Sequence, residues 1–235
     1  YYSNKSITKF ITIKGVVQGV GFRPFVYRNA EKYGIKGYVY NETEGVHILA
    51  QGDELKIEKF IENIETNPPD KSRIDSIERQ DLDTNRVYKT FKIKNSKKSE
   101  NSKTEISPDL NLCKKCKEEL FDKENRRYLY PFISCTNCGP RFTIIRSLPY
   151  DRNNTTMNEF SMCDDCNDEY EDPNNRRFHS QTNSCYKCGP KLELYKSSNK
   201  LISVGKPKKI VQIFKKIKNI INQGKILALK GSGGF

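Results

Sequence analysis

Tryptophan is absent from the 235 residues, histidine and methionine occur twice each, and apolar side chains make up only 35% of the chain. Cores built from such a composition are small, and a bound metal ion would help to hold them. Long apolar runs are missing too, so no segment reads as a membrane span. The opening Tyr1-Tyr2-Ser3-Asn4-Lys5 has no secretory pattern. The expectation is a reducing, cytoplasmic setting in which disulfides are rare. From Lys196 onward Asp, Glu and Arg are absent and ten lysines stand alone. The net charge of +13 belongs mostly to that tail, because the other 195 residues hold 32 basic and 29 acidic side chains. Basicity so confined argues against a nucleic-acid-binding protein.

Cysteine is missing from the first 112 residues and then appears eight times, as four Cys-x-x-Cys pairs. Cys113 and Cys116 are followed after eighteen residues by Cys135 and Cys138; Cys163 and Cys166 are followed, again after eighteen, by Cys185 and Cys188. Every cysteine of the first unit maps onto the second at an offset of fifty, and so do Glu119 and Glu169, Arg126-Arg127 and Arg176-Arg177, and Gly139-Pro140 and Gly189-Pro190. This is a duplicated module. Two such knuckles supply the four soft ligands of a tetrahedral zinc ion, at a recognised spacing. Two structural zinc ions are expected, without an open position for water. Ligation within each repeat and ligation interleaved between repeats are both compatible with the spacing. His179 is a rival ligand that the repeat does not require, since Leu129 stands in the equivalent place.

Periodicity divides the chain into a unit over 1–95, a polar linker over 96–105, a cysteine region over 106–196, a second linker over 197–206, and a final segment over 207–235. In the first unit Lys9–Lys14 alternates as a strand, Phe22, Val26, Ala30 and Tyr33 recur at helical spacing, and Gly34 ends the helix. Strands at 38–40 and 46–49 flank a turn over 41–45. Asp53 caps a second helix, and strands follow near 74–79 and 88–93. The order β-α-β-β-α-β is ferredoxin-like, an α+β fold. Near the end, Ile210, Ile213, Phe214, Ile217, Ile220 and Ile221 form one helical stripe, and 225–230 reads as a strand before a glycine turn, the beginning of a truncated α/β segment.

Between the first strand and helix lies Val17-Gln18-Gly19-Val20-Gly21-Phe22-Arg23. Its glycines allow successive N–H groups to turn inward as an anion nest, the helix N-terminus adds partial positive charge, and Arg23 offers a planar fork for phosphate oxygens. The same pattern also serves as a plain turn followed by a surface arginine. Asn41 reads by itself as a turn residue.

This stretch, with Gly34 and Gly37-Tyr38-Val39-Tyr40-Asn41, resembles the acylphosphatase signature. The resemblance implies that the loop amides and Arg23 bind phosphate while Asn41 positions the attacking water. Farther along, Cys138-Gly139-Pro140-Arg141-Phe142, Pro149-Tyr150-Asp151-Arg152 and Arg176-Arg177-Phe178-His179 look like the zinc region of the hydrogenase maturation carbamoyltransferases, the HypF family. Lys230-Gly231-Ser232-Gly233-Gly234-Phe235 is similar to the opening of a YrdC-like nucleotide-binding domain. The family's chemistry would make carbamoyl phosphate the substrate, hydrolysed before ATP-dependent carbamoyl-adenylate formation and transfer to a cysteine of a hydrogenase maturation partner protein. ATP is expected only for the downstream domain. The alternative is a zinc-ribbon binding or scaffold protein without catalysis, and for nucleic acid the fingers carry too many acids.

Overall fold

The computed structural model describes residues 6–97, 105–196, 201–207 and 209–234. Most of the first linker, the start of the second and the terminal Phe235 lie outside the described residues.

The first unit is a five-stranded sheet with two helices. Its elements are β1 (Ser6–Val16), α1 (Phe22–Tyr33), β2 (Lys36–Glu42), β3 (Gly45–Asp53), α2 (Glu54–Thr66), β4 (Arg73–Asp81) and β5 (Phe91–Ile93). Strand order is β4-β1-β3-β2-β5, antiparallel except for β5 beside β2. This is the ferredoxin-like arrangement expected, with the segment near 88–93 reduced to a short fifth strand at the edge. Gly34 closes α1 in the left-handed conformation, and the Asp53 side chain accepts from the Lys56 amide at the start of α2. Ile11, Ile13, Val39, Ile48 and Ala50 of the sheet are buried against Val26 and Ala30 of α1 and Ile57, Phe60, Ile61 and Ile64 of α2. Period-two alternation in the strands and period-3.6 spacing in the helices put these residues on facing surfaces.

The cysteine region folds as two copies of one design. Cys113 precedes α3 (Lys114–Phe121) and Cys163 precedes α4 (Asp164–Glu171). The first knuckle of each repeat therefore opens a helix, whose N-terminus favours thiolate charge. The copies are braced reciprocally. Glu169 of the second repeat takes Arg126 at 2.7 Å and Arg127 at 2.5 Å, while Glu119 of the first takes Arg176 at 2.6 Å and also Arg177. Arg127 is 1% exposed. Burial works against ionisation of Glu169, yet hydrogen bonds from Arg127 and Arg126 hold its carboxyl down to about 2. Two of the acids that count against a nucleic-acid surface are thus internal partners.

The final segment corrects two expectations. Leu201–Val204 is a strand, β7, rather than linker; it pairs with β6 (Glu193–Tyr195), and the Gly205 amide donates to the Leu192 carbonyl at 2.6 Å. Apolar and β-branched Leu201, Ile202 and Val204 suit that ladder better than a linker. Conversely, 225–230 forms no strand. A strand needs a ladder partner, and among the described residues 225–230 enters no ladder; Ile226 is 97% exposed. The last helix, α5 (Ile210–Asn222), docks by its first turns, with Ile210 and Ile213 buried. Ile210 joins Tyr130, Tyr186 and Leu192 in the cysteine region's core, while Phe214 and Ile221 stay exposed.

Candidate active site and metal centres

Each repeat gathers its own four cysteines. Cys113, Cys116, Cys135 and Cys138 form one cluster and Cys163, Cys166, Cys185 and Cys188 the other, which selects local over interleaved ligation. Sulfur separations are 3.7 Å for Cys113–Cys135, 3.8 Å for Cys135–Cys138, 3.7 Å for Cys163–Cys185 and 3.6 Å for Cys188–Cys166. Four thiolates about 2.3 Å from one ion at tetrahedral corners stand about 3.8 Å apart, so the donor sets fit zinc. Amides of Asn137 and Lys187 point at the Cys135 and Cys185 sulfurs, each at 3.4 Å. The bracing arginines reach the sulfurs as well: Arg126 lies 3.3 Å from Cys166 Sγ and Arg176 3.1 Å from Cys116 Sγ. Each repeat thus lends positive charge to the other's thiolates. His179 belongs to neither cluster.

The loop after β1 runs onto the sheet's end. Gly19 and Gly21 adopt φ of 74° and 76°, which L side chains avoid. The Val17 amide donates to the Gly15 carbonyl and its side chain is buried in the core, yet Val17 still lines the pocket beside Gln18. Among the described residues the amides of 18–21 meet no backbone carbonyl. Val20 and Phe22 anchor the loop by burying apolar side chains beneath it. Gln18 straps it to the β2–β3 turn, donating to the Glu42 carbonyl at 2.6 Å and the Gly45 carbonyl at 3.1 Å.

Asn41 is not a turn residue. β2 continues through it to Glu42, with Asn41 opposite Val46, so the turn shrinks to Thr43-Glu44. The pleat places Asn41 on the same face as core Val39, at the end nearest the loop. It is 2% exposed, and its Oδ1 has no hydrogen-bond partner among the described residues. A buried amide oxygen of that kind costs stability unless something is bound to it.

Arg23, in the first turn of α1, is buried at 7% exposure. Its guanidinium donates to Ser96 Oγ at 3.2 Å, to the Tyr150 carbonyl at 3.3 Å and to Asp151 Oδ1 at 2.6 Å. The last two belong to the cysteine region, so the site spans both units. Gln18, Gly19, Gly21, Arg23 and Asn41 line one pocket together with Thr136, Arg141, Tyr150, His179 and Gln181. Arg141 is the bolt between the parts. It donates to the Gly19 carbonyl and to the carbonyls of Cys138 at 3.0 Å, Pro140 at 2.9 Å, Cys135 at 3.2 Å and Thr136 at 3.0 Å. The second knuckle of the first repeat is thereby fixed to the loop.

Sequence reasoning missed the cysteine-region wall. A signal existed where the repeat departs from itself: Leu129-Tyr130-Pro131 in the first copy becomes His179-Ser180-Gln181 in the second. Leu129 and His179 share a left-handed backbone, φ 55° and 53°. The geometry is common to both copies, and only the polar one faces the pocket. Burial first, and then Arg23, push the His179 imidazole down to about 4, so it is neutral near pH 7. Burial also raises the Tyr150 hydroxyl, with Arg141 opposing, and the phenol stays protonated.

Known proteins share this organisation. The acylphosphatase family model matches residues 9–93, and the HypF finger model matches twice, over 112–145 and 162–195. An acylphosphatase of Actinobacillus succinogenes is 38% identical over 88 residues, 37% of this chain and 97% of its own length. Carbamoyltransferase HypF2 of Cupriavidus necator is 46% identical over 226 residues, 96% of this chain and 27% of that protein. Probable carbamoyltransferase HypF of Methanocaldococcus jannaschii is 49% identical over 148 residues, 61% of this chain and 19% of its own. The crystal structure of a full-length HypF in its phosphate- and nucleotide-bound form superposes with a TM-score of 0.88 at 44% identity, covering 98% of this chain and 29% of that one. The chain spans less than a third of the HypF proteins it matches. With an acylphosphatase unit and both HypF fingers in register with such a structure, the chain belongs to the HypF carbamoyltransferase family.

Proposed function

We propose that this chain hydrolyses an acyl phosphate, carbamoyl phosphate above all, at the pocket holding Arg23 and Asn41. The observation that carries the reading is their convergence there: a buried arginine at a helix N-terminus, loop amides from Gln18 onward, and a buried asparagine oxygen without a partner among the described residues. The amides and Arg23 hold the phosphoryl oxygens and neutralise their charge. Asn41 Oδ1 accepts a hydrogen bond from a water and aims it at phosphorus. The water oxygen bonds to phosphorus as the bond to the bridging oxygen breaks; carbamate leaves with that electron pair, and the water's proton passes to solvent. A mixed anhydride is already activated, so positioning and charge stabilisation suffice without a covalent intermediate. A full-length HypF crystallised in a phosphate-bound form, which accords with an anion site in this family.

The cysteine clusters are proposed to hold structural zinc, each closed by four sulfurs. The later chemistry of a carbamoyltransferase, with ATP, a carbamoyl-adenylate and a partner's acceptor cysteine, is assigned to none of the described residues. No described helix is long and apolar enough to cross a membrane. Phosphate release from carbamoyl phosphate tests the activity. The wild-type chain should release it, and Arg23→Ala should lose about 10²-fold or more, as when one oxyanion donor is removed. Equal rates would remove Arg23 from the site.

A further inference from the structure

Two side chains of the pocket carry a buried polar atom without a partner among the described residues, and only Asn41 has been given work to do. The other is Tyr150, 4% exposed, whose hydroxyl meets no hydrogen-bond partner among those residues. A phenylalanine would fill the same place; the hydroxyl lies within electrostatic reach of the Arg141 guanidinium but no well-formed hydrogen bond satisfies it among the described residues. The backbone around it is fixed on both sides by the phosphate machinery. Its amide donates to Gln18 Oε1 at 2.9 Å, and its carbonyl accepts from Arg23 at 3.3 Å. The ring lies over the loop, with Cδ1 3.6 Å from where a Gly19 Cβ would stand, and the Arg141 guanidinium 5.9 Å from its centroid. Tyr150 is thus held rigidly on the cysteine-region side of the pocket, facing the acylphosphatase loop across it. A phosphoryl group bound by the loop and Arg23 leaves its acyl half directed to the remaining wall.

We infer that Tyr150 is a specificity-determining residue that binds the acyl half of the substrate. Its hydroxyl donates a hydrogen bond to the acyl carbonyl oxygen, and its ring closes the pocket to bulky acyl groups. The substrates admitted are phosphates of one- or two-carbon acids, and aromatic acyl phosphates are excluded. This rests on the acyl phosphate hydrolysis proposed above. It gives the cysteine region a part in substrate choice, and not only in holding the loop.

The test measures steady-state hydrolysis of carbamoyl, acetyl and benzoyl phosphate by the wild-type chain, Tyr150→Phe and Tyr150→Leu. Tyr150→Phe keeps the ring and should raise KM for the two small substrates about five- to tenfold, the effect of one lost hydrogen bond, with kcat within about twofold. Inhibition by inorganic phosphate should stay at the wild-type level, because the phosphoryl contacts are untouched; a merely loosened fold would weaken it. Tyr150→Leu should raise kcat/KM for benzoyl phosphate relative to acetyl phosphate by about tenfold or more. Wild-type KM in Tyr150→Phe overturns the hydroxyl contact, and an unchanged benzoyl-to-acetyl ratio in Tyr150→Leu overturns the wall. A wild-type chain inactive on all three substrates removes the parent reading instead, whereas an active one with indifferent variants removes only Tyr150.

Discussion

Arg23 and Asn41 were both legible in the sequence as residue types, but for Asn41 the local signal pointed the wrong way. Between Tyr40 and Gly45 an asparagine reads as turn, yet β2 runs two residues further, through Asn41 to Glu42, and buries it. Strand propensity is weak beside pairing, and only the register with Val46 decides. Asn41→Ala should therefore chiefly lower kcat, leaving KM near the wild-type value, because its proposed partner is the water; steady-state kinetics on carbamoyl phosphate check this. His179 was legible only as a rival zinc ligand, because the Arg23 side of its pocket comes from the other unit. Its imidazole, held at about 4 against an ordinary 6.5, binds fewer protons folded than unfolded between those values. Stability on its account is intact above about pH 6.5 and falls as pH drops toward 4, by about 3 kcal/mol in all. His179→Leu, which installs the residue the first repeat already carries at this backbone conformation, should flatten that part of the pH–stability curve; urea unfolding at pH 5 and 7 is the comparison.

At the scale of elements, the duplication was plain from spacing, whereas the crossed pairing of its arginines was not. Each Arg-Arg pair and each glutamate repeat at the same offset, so sequence alone allows pairing within a copy as readily as between copies. The structure crosses them: Glu169 on α4 takes Arg126 and Arg127 of the first copy, and Glu119 on α3 takes Arg176 and Arg177 of the second. Removing one partner leaves a buried charge uncompensated. Glu169→Ala, which strands Arg127, should cost about 3–5 kcal/mol, more than an exposed ion pair such as Arg146–Glu159, worth at most about 1 kcal/mol. Thermal unfolding of the two variants distinguishes the cases. The strand expected at 225–230 failed for a related reason. A short apolar run proposes a strand, but a ladder has to be supplied by a neighbour, and the docked part of α5 ends well before it.

Over the whole molecule, the two units meet at the site. Arg141 ties Gly19 to the carbonyls of a cysteine knuckle, and Asp151 and the Tyr150 carbonyl hold Arg23. The ferredoxin-like fold and both cysteine clusters could be read from the chain, because periodicity and spacing are local properties. Contacts over more than a hundred residues, such as Arg23 with Asp151, leave no local trace. The proposed catalytic loop is bolted to a knuckle of the proposed metal site and should depend on that metal, since losing it would free Cys135 and Cys138 and with them the Arg141 anchor. The most direct measurement is the rate of phosphate release from carbamoyl phosphate by the purified chain before chelation, after complete zinc removal, and after zinc is restored. The account predicts activity that falls at least tenfold with the metal and returns with it, while far-ultraviolet circular dichroism still reports the acylphosphatase sheet. Full activity in the metal-free chain would contradict it, by showing that the acylphosphatase unit works without the wall and anchor that the cysteine region provides.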